Sequence, residues 1–362
     1  MKSIGLLFIV FFFTDCFSQE FIIYEGKVLD ENNKAGLSNV HIFSSENENI
    51  GTISNAEGNF ILKSKKKVNT LFFSHLGYQF KQVTLNYKEL STLVVLLKPS
   101  NINLREVVIE DVSAQEVLER VIDRLNENHF VEPATYSFFS RIVNTEGEKI
   151  CLLEEHTGYI KQLKNHNTEF ALEKSRTKAF SRLGKEIMTK VTMVRMTEMY
   201  TDNLGKYREN YLKKGKFNKY QIKFKDDAEL FGRPCFVLHC SIDDGRYDDE
   251  GLLYIDKENY GIIKKKTLGS YSKEITFQLI DGRYYLKSTQ YDTSFKGTKQ
   301  RRTTLYNLSK ETSSMDFLSK IHIGPKKAIK FSGNFFDDYW DDLNFIPLEK
   351  ELLNQINLSS EK

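Results

Sequence analysis

Short runs of alternating apolar and polar residues dominate the chain, and each run predicts a β-strand. Ile22, Tyr24 and Val28 alternate until Asp30-Glu-Asn-Asn33, residues that bend the backbone and hydrogen-bond it locally. Val40, Ile42 and Phe43 predict the next strand. Thr52 to Phe60 predicts a tight turn in which Gly58 supplies a positive φ without steric cost. Further runs follow at Val68 to Phe73, Tyr78 to Leu85 and Leu93 to Leu97. Strands this short and evenly spaced predict a β-sandwich. Its exit lies at Lys98-Pro99, because Pro99 cannot donate to a ladder.

The pattern changes at Ser113. Ser113-Ala-Gln-Glu116 has capping-box spacing, and Val117, Leu118, Val121, Ile122 and Leu125 recur on one side of a helix. Tyr136 to Val143 and Ile150 to Leu163 then read as strands. From Glu169 to Asn210 the chain is basic and Met-rich, and Ile187, Val191, Val194 and Met199 predict a helix within a long loop. An antiparallel meander follows: Tyr220 to Phe224, Pro234 to Ile242, Leu252 to Ile255, Ile262 to Leu268, Glu274 to Leu279, Tyr284 to Tyr291 and Arg302 to Leu308, with Gly251, Gly261 and Gly282 among the turns. Leu348, Leu352, Leu353 and Ile356 predict a short amphipathic helix. The fold class is therefore mainly β: a sandwich, then an α+β domain in which a helix packs on an antiparallel sheet.

The N-terminus adds a destination. Lys2, the apolar run Ile4 to Phe13 and small residues before Gln19 form a secretory signal peptide over 1–18. Phe13-Thr-Asp before Cys16 does not suit lipidation. No later stretch reaches the ~20 apolar residues of a membrane helix. The organisation is then 19–99 sandwich, 100–112 connector and 113–362 helix plus antiparallel β-domain. The formal net charge of +3, with bases and acids interspersed, gives no pull on nucleic acid. Cys235 and Cys240 stand five apart on one strand, ~16 Å at ~3.3 Å per residue, too far to bridge. The alternatives are a bridge from Cys151 to one of them, which an oxidising envelope permits, and buried free thiols, and the free thiols are expected.

Four motifs, Gly26-x-Val-x-Asp30, Gly36-x-x-x-Val40-x-Ile42, Gly51-Thr-x-Ser-Asn-Ala-Glu-Gly-Asn-Phe60 and Ser74-His-Leu-Gly-Tyr78, resemble the carboxypeptidase regulatory-like domain of Bacteroidetes envelope proteins. The resemblance implies a seven-stranded, transthyretin-like sandwich with an accessory role and no chemistry of its own. Leu104 to Glu110 resembles the extended connector that follows such modules. Asn128 to Arg141, Leu252 to Ile263 and Tyr339 to Pro347 resemble the second domain found beside them, some examples of which look like the half-barrel of outer-membrane lipoprotein carriers.

Candidate chemistry is sparse. His129-Phe-Val-Glu132 with the distant His239 has the ligand types of a zinc carboxypeptidase. However, Pro133 follows directly, the α/β pattern of such an enzyme is missing and His239 alternates within an apolar strand, so no metal or catalytic residue is assigned. No nucleophile elbow, phosphate loop or clustered histidine pair occurs, and no cofactor is expected. Asp243, Asp244, Asp248, Asp249 and Glu250 lack calcium-loop spacing and read as a solvated turn. At Asp337, Asp338, Asp341 and Asp342, carboxylates interleave with Phe335, Phe336, Tyr339 and Trp340. Phe336, Tyr339, Trp340 and Asp341 are the candidate partner-binding residues, against an aromatic anchor that plugs the second domain's core. The sequence thus predicts a non-enzymatic secreted envelope protein that binds or assembles with a protein or glycan, located in the periplasm or peripherally at the outer membrane. The alternatives are a lipid or lipoprotein carrier with an apolar half-barrel and, remotely, a zinc hydrolase. The carrier requires that the inward positions of the meander stay open rather than being filled by the Glu169 to Asn210 region.

Overall fold

The computed structural model describes residues 21–44, 50–86, 92–100, 112–129, 133–163, 168–190, 209–242, 250–269, 271–295, 297–309, 340 and 346–360. The predicted signal peptide at 1–18, residues 101–111 of the predicted connector at 100–112 and the acidic positions 243, 244, 248 and 249 lie outside these residues.

Seven strands build the N-terminal part. β1 (Ile22–Asp30) lies between β4 (Asn59–Ser64) and β7 (Leu93–Leu97), antiparallel to the first and parallel to the second. Facing them is a four-stranded sheet, ordered β3 (Gly51–Ile53), β2 (His41–Phe43), β5 (Thr70–Ser74) and β6 (Lys81–Thr84). Alternation delivers Tyr24, Val28, Ile42, Leu62, Phe73 and Leu97 to the space between; each contributes ~1.5–3 kcal/mol when fully buried. The first turn is fixed by Asp30, whose carboxylate accepts from the amides of Asn32 (2.7 Å) and Asn33 (3.1 Å) and from the Tyr78 hydroxyl (2.6 Å). Gly58 has φ +84°, and a side chain there would strike the Val28 carbonyl.

Ten antiparallel strands form the second sheet: β8 (Ala134–Glu146), β9 (Lys149–Gln162), β10 (Thr168–Ala179), β11 (Gln221–Leu230), β12 (Arg233–Ser241), β13 (Glu250–Asp256), β14 (Ile262–Leu268), β15 (Ser272–Ile280), β16 (Arg283–Phe295) and β17 (Thr298–Ser309). The chain enters at the centre with β8 and runs to one edge at β10. It restarts at the far edge with β11 and meanders back until β17 pairs with β8. β10 and β11 are the edges; β11 carries Lys223, Lys225, Asp226 and Asp227 and a bulge between Lys225 and Ala228, features that discourage edge-to-edge pairing.

β10 corrects the expectation of a long loop with a helix between Glu169 and Asn210. Its partly or fully buried residues include Ser175, Arg176 and Thr177, so the strand carries no apolar alternation; register with β9 forms it. A helix does follow, α2 (Arg182–Lys190), which contains Ile187; Val191, Val194 and Met199 lie outside the described residues. Gly282 sits in a hairpin turn with φ +82°. Gly251 instead lies within β13, where a side chain would strike the Tyr211 hydroxyl.

Each face of this sheet is covered differently. On one face lies α1 (Ala114–Asn128), started by the predicted capping box: Ser113 Oγ accepts from the Glu116 amide (3.2 Å) while Glu116 accepts from the Ser113 amide (2.7 Å). Its stripe of Val117, Leu118, Val121 and Leu125 shares a core with Tyr136, Phe138, Leu253, Ile255, Phe277 and Tyr306, and also with Tyr211, Leu212 and Phe217 from two 3₁₀ turns before β11. On the other face lie the sandwich and a C-terminal segment ending in α3 (Lys350–Ser360), whose Leu352 and Ile356 cover Leu153.

Candidate functional site

On the sandwich side of the ten-stranded sheet, the cross-strand row Lys264, Thr276, Ser288 and Leu305 continues to Phe139 on β8. The four-stranded sheet of the sandwich faces this row. Between them is a cavity of about 230 Å³ lined by His41 and His75 from one side and by Lys264, Glu274, Thr276 and Gln290 from the other. Lys264 and Lys266 pair with Glu274 at 2.6 and 2.8 Å. Burial works to raise the Glu274 carboxyl, but the two ammonium groups outweigh it and hold it near 2. His41 and His75 are both held below the usual imidazole range, chiefly by burial and also by the cationic lysines opposite. Among the described residues neither Nδ1 has a hydrogen-bond partner. Lys287 reaches the seam beside Gly51, whose missing side chain leaves room for it, and burial lowers its ammonium to about 7. Phe231, at the β11–β12 turn, inserts between His41 and Phe43 with ring centroids at 5.3 and 5.4 Å. The arrangement can hold water or a small polar molecule between the two parts, since domain interfaces are where such sites recur.

The C-terminal segment straps the same seam. Glu155, fully buried on β9, accepts from Arg141 Nε (2.6 Å) and Arg176 Nε (2.5 Å), the three residues forming one row across β8, β9 and β10. Arg141 donates its remaining groups to the carbonyls of Ile346 (2.5 Å) and Pro347 (3.0 Å). From the sandwich, Asn55 Nδ2 donates to the Pro347 carbonyl (3.3 Å) and Glu57 accepts from the Lys350 amide (3.1 Å). The strap therefore bonds to both parts at once.

Trp340 belongs to this strap. It is 1% exposed, packs with Ile53, Phe139, Leu305 and Ile346, and carries the Arg176 guanidinium 4.3 Å above its ring. Its ring is an inward anchor. Phe336, Tyr339 and Asp341 lie outside the described residues, as do the acids at 337, 338 and 342. The triad Arg141, Glu155 and Arg176 escaped the sequence reading. Its signal was charged residues inside strands, Glu154-Glu155 within β9 and Arg176 within β10, where only pairing makes burial tolerable.

The zinc candidates separate. His129 is buried, its imidazole lowered to about 3 by burial, and Nε2 accepts from the Ile262 amide (3.2 Å) while the ring stacks on Tyr284. His239 instead bonds Glu250 (2.6 Å) across β12 and β13; Glu132 lies outside the described residues. Among the described residues no three His, Cys, Asp or Glu side chains form a metal-binding group. Cys151, Cys235 and Cys240 are free and buried, and burial pushes the latter two thiols up to about 12.

Fold and site together define a mainly β protein in which a small sandwich and a C-terminal strap close one face of a ten-stranded sheet. Residues 24–109 match the CarboxypepD_reg-like domain family, so the sandwich is a domain of that kind. A search of curated proteins returns no match. Among solved structures, the chain is similar to an outer membrane lipoprotein-sorting protein domain from Vibrio parahaemolyticus (11% identity, 56% of this chain and 96% of that one, TM-score 0.31). It is also similar to a DUF1329 family protein from Desulfovibrio piger (9%, 55% and 92%, TM-score 0.27) and to a LolA superfamily protein from Nitrosomonas europaea (12%, 55% and 95%, TM-score 0.27). Among the described residues no helix is long and apolar enough to cross a membrane.

Proposed function

We propose that the protein is a non-enzymatic binding or assembly module of the bacterial cell envelope, exported by the signal peptide at 1–18. In this reading it divides into sandwich 19–99, connector 100–112 and sheet domain 113–362, and engages a protein or glycan partner in the periplasm or at the outer membrane. The CarboxypepD_reg-like match supports an accessory role. The observation that carries the reading is how the α1 face of the sheet is occupied. A carrier needs apolar inward positions left open. Here α1 and the Tyr211–Phe217 stretch fill one half of that face. Across the other half runs a polar row of Thr289, Thr304, Ser140, His156 and Ser175, tied by Thr304–Ser140 (2.9 Å) and His156–Ser175 (2.8 Å) hydrogen bonds. Hydroxyls and an imidazole paired to each other offer an acyl chain nothing that water does not. The test is a titration of the mature chain with cis-parinaric acid. The reading predicts no saturable fluorescence change; stoichiometric saturation would favour the carrier instead.

A further inference from the structure

The cavity in the seam, about 230 Å³, has room for several waters at ~30 Å³ each, or for one small ion with part of its hydration. We propose that it is a site for a small oxyanion, held by Lys264, Thr276 and Ser288 of the sheet and by His41 of the sandwich. The proposal goes beyond the binding-module reading and does not rest on it.

Strand register builds the polar wall. Lys264, Thr276 and Ser288 are successive partners across β14, β15 and β16, so an ammonium group and two hydroxyls stand in one row, ~4.8 Å from strand to strand, on the face that lines the cavity. Beside them Asn39 Nδ2 donates to Gln290 Oε1 across the seam (3.3 Å), and the rings of His41 and His75 form the opposite wall. The charges decide the class of ligand. Among the described residues that line the cavity Glu274 is the one carboxylate, and both of its oxygens are engaged, one by Lys264 and one by Lys266. Two ammonium groups on one carboxylate leave a positive charge in excess. Lys287 reaches the same seam beside Gly51, where it donates to Asn307 Oδ1 (3.5 Å). His41 is kept neutral chiefly by burial and then by the Lys287 and Lys264 charges. A cationic ligand would meet the same lysines, and a neutral one would leave the excess charge as it is. An anion offsets that charge and favours the protonated imidazole, which then donates a charge-assisted hydrogen bond. Two imidazoles also invite a metal ion, but no third His, Cys, Asp or Glu joins them among the described residues.

The experiment is isothermal titration calorimetry of the full mature chain with sodium sulfate and with sodium acetate, at constant chloride, at pH 6.5 and 8.5. Both probes keep their charge over that range, so any pH dependence belongs to the protein. The expected result is saturable one-to-one binding of at least one probe, at least fivefold tighter at pH 6.5. The sign follows from the groups that face one another across the seam: His41, His75 and Lys287, all lowered, take up protons as pH falls, while Lys264, Lys266 and Glu274 stay charged and the Tyr254 hydroxyl, raised by burial and then by Glu274, stays neutral. Sulfate alone marks a tetrahedral ligand and acetate alone a carboxylate; either supports the site. Lys264→Met should weaken binding at least tenfold and His41→Gln at least fivefold, two variants that serve if one folds poorly. Lys214→Ala, an 82% exposed side chain paired with Asp123 of α1, should stay within twofold of the wild type. Absence of saturation by both probes at millimolar concentration overturns the proposal. Wild-type affinity in both seam variants, or an equal loss in Lys214→Ala, overturns it as well. Its failure leaves the binding-module reading standing, since the cis-parinaric acid titration tests that reading separately.

Discussion

Arg141, Glu155 and Arg176 concentrate more consequence in three side chains than any other row of the sheet. Arg141 is 5% exposed and Glu155 fully buried, so removing one partner leaves buried charge uncompensated. Arg141→Ala should cost ~3–5 kcal/mol, measured as the shift in urea unfolding free energy. Its replacement also removes the Arg141 bond to the Ile346 carbonyl and leaves that of Pro347 to Asn55, so the same variant should expose the C-terminal strap to proteolysis. The buried imidazoles set a pH dependence. Folded His129 and His156 sit near 3, His129 through burial alone and His156 through burial and then the Arg302 charge, against 6.5 unfolded. Between those values the unfolded chain takes up protons that the fold refuses, so stability is present above pH 6.5 and is lost as pH falls toward 3. Each group contributes a slope of up to about 1.4 kcal/mol per pH unit. Glu154 acts oppositely, because burial, only partly offset by Arg302, raises its carboxyl from 4.5 to about 7. Below pH 4.5 the histidines act together with Glu274, whose folded carboxyl sits near 2, and His129→Gln should reduce but not abolish the loss of stability between pH 4.5 and 3.5 in urea titrations. These residues were the least legible in the sequence. A buried ion triad and scattered neutral histidines have no periodicity; only cross-strand register brings them together.

At the scale of elements, legibility followed the source of each element's stability. Strands and helices that bury an apolar stripe are readable: β1, β2, β5 to β9, β12 to β17, α1 and α3 announce themselves by spacing, whereas β3 and β4 read only as the flanks of a tight turn and the mostly exposed β11 only as Tyr220 to Phe224. The capping box of α1 was visible at Ser113 and Glu116, and Ser113→Ala should cost ~1 kcal/mol by chemical unfolding. β10 was unreadable because pairing with β9 and polar partners hold it, not an apolar face. Trp340 was visible as an unusual residue, but a Trp beside carboxylates reads alike for an anchor and for a contact surface, and only the position of Arg176 decides its orientation. Within the core of α1, Leu118→Ala should cost ~2–5 kcal/mol, since the side chain is fully buried among neighbours from the sheet. A smaller loss would mean that the stripe repacks over the vacated space.

For the whole molecule, the sandwich, sheet and strap share one seam, in which Ile53 from the sandwich, Phe139 and Leu305 from the sheet and Trp340 from the strap form a common cluster. That arrangement predicts coupled unfolding of the two parts, read as coincident transitions of tryptophan fluorescence and far-ultraviolet circular dichroism. Separate transitions would show that the seam contributes little. It also bears on function, because one face of the sheet is spent on joining the parts while α1 and the Tyr211–Phe217 stretch fill half of the other, whose remaining half carries the polar row. In the proposed function this sheet is a closed platform for binding and not an open container for lipid. Native mass spectrometry of the mature chain exported to a bacterial periplasm, compared with the same sample denatured, tests it most directly. The expected result is the bare protein mass, or that mass plus a glycan or protein partner. A lipid-sized mass retained in the native state and released on denaturation would contradict it.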